Sequence, residues 1–205
     1  MEQTLEVAHG LFAERGYADV TMDEIAAAVG VTKPLLYNYF GNKERLYIAC
    51  MERAGDALTR TVGEALGGTD SPGEALRSSV RAFFAFLDSD RAAWAVLFDE
   101  TLPAGGEVAD RVAHYRGQIV DLVSGSLLAQ LPDSRRRKAR IEIEALSAAL
   151  LGAAEELARW WLRTEAIAAG EAAELLITTV EPGIRARSEA TPSPTSKPGK
   201  GTPKA

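Results

Sequence analysis

The 205-residue sequence contains one cysteine and two histidines, and this scarcity narrows the classes of protein that it can encode. Cys50 has no second cysteine with which to form an internal disulfide, so a disulfide-stapled scaffold is excluded. Only His9 and His114 could supply imidazole ligands, and neither histidine nor cysteine occurs at a spacing typical of a metal site. We therefore expect neither a metal nor a cofactor.

Long apolar runs are also missing. No stretch approaches the roughly 18 charge-free residues of a membrane span. The opening MEQTLEVAHG lacks the basic segment and following apolar segment of a secretory signal peptide. The content of 46% hydrophobic and 25% charged residues is typical of a soluble globular protein. These features predict a cytoplasmic protein without a membrane partner.

The motifs of common enzyme classes are absent as well. The sequence has no Gly-x-Ser-x-Gly nucleophile elbow and no glycine-rich phosphate loop. Asp99-Glu100 and Glu155-Glu156 are adjacent carboxylates, but helical neighbours point about 100° apart and would not share a substrate. We therefore predict no catalytic residue, and an α-helical enzyme or ligand carrier is the rival class.

Nearly every segment with a regular apolar period predicts a helix, because glycine and proline fall between the segments and no run alternates apolar with polar residues. Thr21 and Thr32 are predicted helix caps, and Thr21 forms a capping box with Glu24. Gly16 is a predicted left-handed cap after Arg15. The predicted helices are residues 4–15, 22–29, 33–40, 43–66, 73–88, 91–101, 107–130, 134–164 and 170–186. The fold class is therefore all-α, with about nine helices.

The composition of the chain changes along its length. Residues 1–46 contain short helices, whereas the helices of residues 47–187 are longer. From residue 188 the chain is rich in Pro, Ser, Thr, Gly and Lys and nearly free of apolar side chains. Such a segment cannot offset its own ordering entropy, so residues 188–205 are a predicted disordered tail.

Residues 21–40 have the pattern of a helix-turn-helix, with two short helices joined by Gly30-Val31. That geometry alone is common among helical pairs, but the residues around it are specific. They are Leu11-Phe12, Glu14-Arg15-Gly16-Tyr17, Thr21, Ile25-Ala26, Val29-Gly30-Val31, Leu36-Tyr37, Tyr39-Phe40, Lys43 and Leu46. With these residues, the segment from Leu11 to Tyr47 resembles the N-terminal domain of TetR-type (tetracycline-repressor-like) transcriptional regulators.

The resemblance implies a three-helix DNA-binding domain over residues 1–46 and a helical ligand-binding and dimerisation domain over residues 47–187. It implies a sequence-specific regulator of transcription, most simply a ligand-responsive repressor that binds a palindromic operator in double-stranded DNA as a homodimer. There are two alternatives. The small molecule could promote DNA binding instead of releasing it, or the regulator could act without any ligand. Such regulators commonly carry a basic arm before the first helix. Here Glu2 is the only charge ahead of it, so either the arm is absent or the natural chain starts upstream.

The DNA contacts are expected on the helix of residues 33–40, which would lie in the major groove. Lys33 could reach guanine or a nearby phosphate, and Asn38 could pair with adenine. Pro34 and Leu35 can make only apolar contacts. The expected phosphate contacts are Thr21, Thr32, Tyr37, Tyr39 and Lys43. The plainer alternatives are a helix cap for the threonines, partial core packing for Tyr37 and a solvated side chain for the others.

Two further sites are expected within residues 47–187. Aromatic residues are concentrated in the middle helices, and small-molecule sites are mostly apolar, so an apolar or neutral ligand is expected. The candidate pocket residues are Phe84, Trp94, Phe98, Asp99, His114, Tyr115, Glu155 and Trp160, each of which could instead belong to the core or the surface. The candidate dimer residues are Ala148, Ala149, Gly152, Ala153, Leu176 and Val180, which could also pack internally.

The formal net charge of -6 argues at first against nucleic acid as a partner, because Lys and Arg supply most of the affinity for DNA. Even residues 1–45 are acidic, with seven acids and four cations. However, three of those cations, Lys33, Lys43 and Arg45, flank the predicted reading helix. Affinity depends on the local face, so we expect a DNA-binding edge with weak non-specific binding.

Overall fold

The computed structural model describes residues 1–69, 71–98, 102 and 105–189. The described residues form helices and no strand, which confirms the all-α prediction. The helices are α1 (Glu2–Asp19), α2 (Met22–Val29), α3 (Lys33–Phe40), α4 (Lys43–Gly67), α5 (Pro72–Ser89), α6 (Arg91–Leu97), α7 (Glu107–Ala129), α8 (Asp133–Thr164) and α9 (Ala169–Glu189). Among them, none combines the length and the apolar character that crossing a membrane requires.

Three helix ends differ from the predicted ones by more than two residues. Gly16 does not end α1 but forms a kink within it, at φ 78° and ψ 165°, a conformation that glycine adopts without a side-chain clash. Helix α6 ends at Leu97, about four residues early, because Phe98 leaves the helical conformation. Helix α9 continues through Glu189, so the predicted start of the tail lies inside this helix. The rest of the predicted tail, residues 190–205, lies outside the described residues.

Local capping fixes the first turn of α2. The Thr21 hydroxyl accepts from the Glu24 N–H at 3.3 Å, and the Glu24 carboxylate accepts from the Thr21 N–H at 2.8 Å, as the predicted capping box requires. Gly30 ends α2 in the left-handed conformation, with φ 76°. Thr32 is the N-cap residue of α3, as predicted, although its hydroxyl makes no capping hydrogen bond among the described residues.

Helix α4 joins the N-terminal helices to the rest of the protein. Its residues Leu46 and Tyr47 are fully buried, and the Tyr47 hydroxyl donates to the carbonyl of Val96 on α6 at 2.7 Å. Helices α1 and α4 both pack on α6, while α5 and α7 pack on α4 further along. Helices α8 and α9 complete the bundle by packing on α7 and α5. The predicted boundary at residue 46 therefore falls inside a continuous helix that both parts share.

Candidate DNA-binding surface and internal cavity

Helix α3 is held to the protein by the fully buried Leu36 and the half-buried Phe40, and its other side chains are exposed. Leu36 is 1% exposed and packs into the core of the N-terminal helices. Large apolar or aromatic side chains on the same helix face solvent, with Leu35 at 41%, Tyr37 at 40% and Tyr39 at 62% exposure. The other predicted contact residues on this segment, Thr32, Lys33, Pro34 and Asn38, are also exposed. A short helix with so many uncovered side chains is a surface on which another molecule can bind.

The ammonium group of Lys33 is already paired with an acid of the neighbouring helix. Its Nζ lies 2.7 Å from Oδ1 and 2.9 Å from Oδ2 of Asp23 on α2. It also lies 5.9 Å from the centre of the Tyr37 ring. The hydrogen bond from Lys33 to Asp23 raises the pKa of Lys33, so this cation is charged whenever the protein is folded at neutral pH.

Lys43 also has protein partners. Its Nζ donates to the carbonyls of Tyr17 at 2.8 Å and Ala18 at 3.3 Å, and it lies 4.5 Å from the centre of the Tyr17 ring. These contacts tie the start of α4 to the end of α1. An ammonium group has three N–H donors, so one remains for a phosphate.

Thr21 is held by its capping box. Its hydroxyl donates to Glu24 Oε2 at 2.7 Å, while Arg15 donates to Glu24 Oε1 at 2.8 Å. These hydrogen bonds, first from Thr21 and then from Arg15, lower the pKa of Glu24 to about 2. The carboxylate of Glu24 is therefore ionised at neutral pH and committed to both partners. The cap at the start of α2 depends on this carboxylate.

A cavity of about 30 Å³ lies between α4, α5, α7 and α8. Eight of its ten described lining side chains are apolar, and the other two are Ser79 and Ser147. Ser79 donates its hydroxyl hydrogen to the carbonyl of Leu76 at 2.8 Å. Ser147 is 2% exposed, and its hydroxyl has no hydrogen-bond partner among the described residues. A buried, unpaired hydroxyl is costly, so this cavity has one polar group ready for a partner.

The two parts of the chain match known protein families. Residues 5–50 match the description "Bacterial regulatory proteins, tetR family", and residues 72–181 match "Tetracyclin repressor-like, C-terminal domain". The chain belongs to the TetR family. The predicted resemblance is thus confirmed, and the protein is a DNA-binding helix-turn-helix regulator of transcription and not an enzyme.

Known transcriptional regulators are similar to this protein over most of the chain. The HTH-type transcriptional activator FasR of Mycolicibacterium smegmatis is 32% identical over 163 residues, which cover 80% of this chain and 72% of FasR. A TetR-like transcriptional regulator from Rhodococcus sp. RHA1 superposes with a TM-score of 0.72 at 29% identity, covering 90% of this chain and 94% of that one. FadR from Bacillus subtilis, solved in complex with stearoyl-CoA, superposes with a TM-score of 0.70 at 19% identity, covering 86% and 95%.

Within this TetR-family fold, the described candidate pocket residues do not line the cavity. Phe84 is buried against Trp161, with ring centres 5.9 Å apart, and the half-buried Trp94 and Phe98 stack on each other at 4.3 Å. His114 and Trp160 are exposed on α7 and α8. Asp99 lies outside the described residues. The remaining two, Tyr115 and Glu155, are buried and have polar partners.

Glu155 is engaged in an ion pair between α7 and α8. Its side chain is 5% exposed, and both of its oxygens accept from the guanidinium of Arg116, which is half exposed. This bidentate pair explains how a carboxylate can be buried in the bundle. Sequence reasoning favoured aromatic and charged residues and therefore missed Ser79 and Ser147, whose only signal is a small polar residue on an apolar helix face.

The candidate dimer residues fall into two groups. Ala148, Ala149, Gly152 and Ala153 are all exposed along one face of α8. Val180 is half buried, and Leu176 is 5% exposed because it packs into the protein's own core. Leu175 on α9 is also exposed, at 52%, and so is Ile141 on α8, at 80%.

Helix α6 connects the N-terminal helices with the corner between α8 and α9. Arg91, at its first position, forms an ion pair with Glu165 at that corner and lies 5.7 Å from the Trp161 ring. Helix α6 also packs on α1 and α4. Helix α6 therefore contacts both the N-terminal helices and, through Arg91, the corner between α8 and α9.

Proposed function

We propose that this TetR-family regulator is a homodimer that binds a palindromic operator through α3, represses transcription there, and changes its affinity when an apolar molecule enters the bundle cavity. The observation that carries the proposal is the exposure of α3, which is anchored by Leu36 and presents its polar and aromatic side chains at the surface, where DNA can reach them. Repression is the simplest outcome, since a protein bound at a promoter excludes other proteins from the same DNA.

Base contacts are assigned to Lys33, Pro34, Leu35 and Asn38, and phosphate contacts to Thr21, Thr32, Tyr37, Tyr39 and Lys43. The exposure of the six α3 residues and the unused hydroxyl of Thr32 support these roles. The roles of Thr21 and Lys43 are weaker, because each already serves the protein's own structure. The expected division is that phosphate contacts position the helix and base contacts provide specificity.

Dimerisation is assigned to α8 and α9. The small exposed residues Ala148, Ala149, Gly152 and Ala153 permit close approach of a second copy of the helix. Leu175 and Trp160 add exposed apolar area beside them, and Val180 contributes its open side. Leu176 would stabilise α9 from within. A two-fold dimer would present its two copies of α3 to major grooves about 34–36 Å apart.

The effector is assigned to the class of apolar molecules with one polar group. That group would form a hydrogen bond with the hydroxyl of Ser147. The cavity of about 30 Å³ has room for no more than a few water-sized spheres, so an effector must push the lining side chains and helices apart. This requirement supports coupling, because displacement of α4 also moves the DNA-binding helices. An acyl chain suits the lining, and Bacillus subtilis FadR, of the same fold, is a protein that holds an acyl-CoA.

The DNA-binding role can be tested by selecting ligands from random duplex DNA with the full chain. We expect enrichment of a palindrome whose half-sites are about one helical turn apart. Lys33→Ala combined with Tyr37→Ala should weaken binding of the selected duplex, whereas Arg60→Ala, which removes an exposed cation of α4 outside the assigned sites, should not. Unchanged affinity of the double variant would contradict the assignment of α3.

Activation is the second candidate function, because the relative FasR is named an activator. A reporter gene with the selected operator at its promoter separates the two. Lower expression with the protein present supports repression, and higher expression supports activation.

Addition of an acyl-CoA series to the DNA-binding assay tests the effector class, with Ser147→Ala as the matched variant.

A further inference from the structure

Asp23 and Lys33 form a close ion pair across the turn of the helix-turn-helix. Asp23 is the second residue of α2, and Lys33 is the first residue of α3. The ammonium of Lys33 contacts both carboxylate oxygens of Asp23, although the side chains remain 54% and 63% exposed. DNA that approaches α3 would therefore meet a cation that is already neutralised by the protein.

The other acid in the first turn of α2 does not act in this way. Glu24 is bound by Arg15 and by both the N–H and the hydroxyl of Thr21. Its carboxylate is needed for the cap and cannot turn toward α3 without breaking it. Asp23 therefore differs from Glu24, because Asp23 contacts α3 through Lys33, whereas Glu24 contacts Arg15 and Thr21.

We propose that Asp23 is a specificity-determining residue that competes with DNA phosphates for the ammonium of Lys33 and so suppresses binding to non-specific DNA. This inference rests on the proposed function, in which Lys33 contacts DNA. In a non-specific complex, Lys33 only exchanges one anion, the carboxylate, for another, a phosphate. Lys33 then neutralises a phosphate, but the carboxylate of Asp23 is left unpaired beside the DNA. The balance of charge does not improve, so little affinity is gained.

The operator offers Lys33 more than a phosphate. Guanine presents two acceptors, O6 and N7, in the major groove, and a fitted complex places them opposite the start of α3. An ammonium group has three N–H donors, so Lys33 can donate to guanine while it keeps its contacts with Asp23, whereas a phosphate beside the helix draws it away from Asp23. Asp23 therefore reduces the affinity for every duplex, but it reduces the affinity for non-specific duplexes most.

The proposal is tested by measuring the Kd of the full chain for the selected operator and for an unrelated duplex of equal length, over a series of salt concentrations. Asp23→Asn should tighten binding of the unrelated duplex by about threefold for each subunit and that of the operator by less. For the unrelated duplex, the slope of the logarithm of the binding constant against the logarithm of the salt concentration should become steeper by up to about two for a dimer. Asp23→Glu, which keeps the charge, should retain the discrimination of the wild type.

Two comparisons separate this effect from a general change of charge. Asp19→Asn removes one exposed acid from the same domain without touching Lys33, and it should leave the ratio of the two affinities unchanged. In a Lys33→Met background, Asp23→Asn should no longer alter that ratio. The proposal is overturned if Asp23→Asn changes the ratio of the two affinities no more than Asp19→Asn does, or if it still changes that ratio in the Lys33→Met background.

The outcomes also distinguish this inference from the proposed function. If Lys33→Met leaves operator binding unchanged, the DNA-binding role of Lys33 fails and this inference fails with it. If Lys33→Met weakens binding but Asp23→Asn changes neither affinity, the inference alone is overturned. Thermal unfolding of each variant verifies that α2, whose first turn contains Asp23, remains folded.

Discussion

The ring of Tyr115 on α7 lies directly against Gly55 on α4. A β-carbon at residue 55 would be 2.6 Å from Cε1 of this ring, which is closer than real side chains approach. The Tyr115 hydroxyl donates to Asp56 Oδ1 at 2.8 Å and lies 3.2 Å from the carbonyl oxygen of Glu52. One aromatic residue thereby fixes the separation of α4 and α7 beside the cavity. Because α4 also packs on α1 and α3, this contact connects α7 with the N-terminal helices.

Gly55→Ala should separate α4 from α7, since the ring has no room to accept a methyl group. We expect a loss of about 1–3 kcal/mol in the free energy of unfolding and a weaker operator affinity. Gly117→Ala on α7 is the matched control, because a methyl group there would point into open space and alanine favours a helix. Urea unfolding of both variants measures the difference, and equal stability of the two would contradict the close contact.

Ser147→Ala should raise the stability of the ligand-free protein. The buried hydroxyl has no partner among the described residues, so its removal eliminates an unsatisfied group worth about 1–3 kcal/mol. Ser79→Ala, at the same cavity, removes a hydroxyl that is hydrogen-bonded to Leu76 and should not stabilise the protein. Thermal unfolding provides the comparison. A stabilising Ser79→Ala together with a destabilising Ser147→Ala would reverse the assignment of the two hydroxyls.

Arg116→Ala should destabilise the bundle by leaving the buried carboxylate of Glu155 without its partner. The expected loss is on the order of 2–3 kcal/mol, less than for a fully buried pair because Arg116 is half exposed. Adding Glu155→Leu to Arg116→Ala should recover most of this loss, since no buried charge then remains. Urea unfolding of the single and double variants tests the prediction, which a fully additive double variant would contradict.

His9 should make stability fall as the pH is lowered. Burial between α1 and α6 lowers the pKa of His9, although Asp90, at 3.7 Å, opposes this effect; Arg53 lowers the pKa further. Below the ordinary pKa of 6.5 the unfolded chain therefore binds a proton more readily than the folded protein, and acid favours unfolding. The stability present above that pH is lost as the pH falls through and below 6.5.

The measurement is the free energy of unfolding between pH 7.5 and 5.5 for the wild type and for His9→Gln. The variant should lose less stability over this range, because glutamine does not titrate. Glu14→Gln, an exposed change on the same helix, serves as the control. A steeper pH dependence in His9→Gln than in the wild type would show that the pKa of His9 is raised rather than lowered.

The amino-acid sequence by itself determined the N-terminal helices and their role. The capping box of Thr21 and Glu24, the left-handed Gly30 and the proline at the start of α3 act over a few residues, so they predict helix ends without knowledge of the fold. The family resemblance depends on the same short segment. Gly16 was the local exception, because a glycine with positive φ can either end a helix or kink it.

Only the tertiary structure decided which side chains meet across the bundle. Helical periodicity identifies an apolar face but not the helix that covers it, so Leu176 could not be assigned to the core or to a dimer surface from sequence. The partner of Lys33 lies ten residues away and that of Tyr115 about sixty, and each pairing depends on how helices cross. The cavity likewise exists only because four helices surround Ser147 without filling the space beside it.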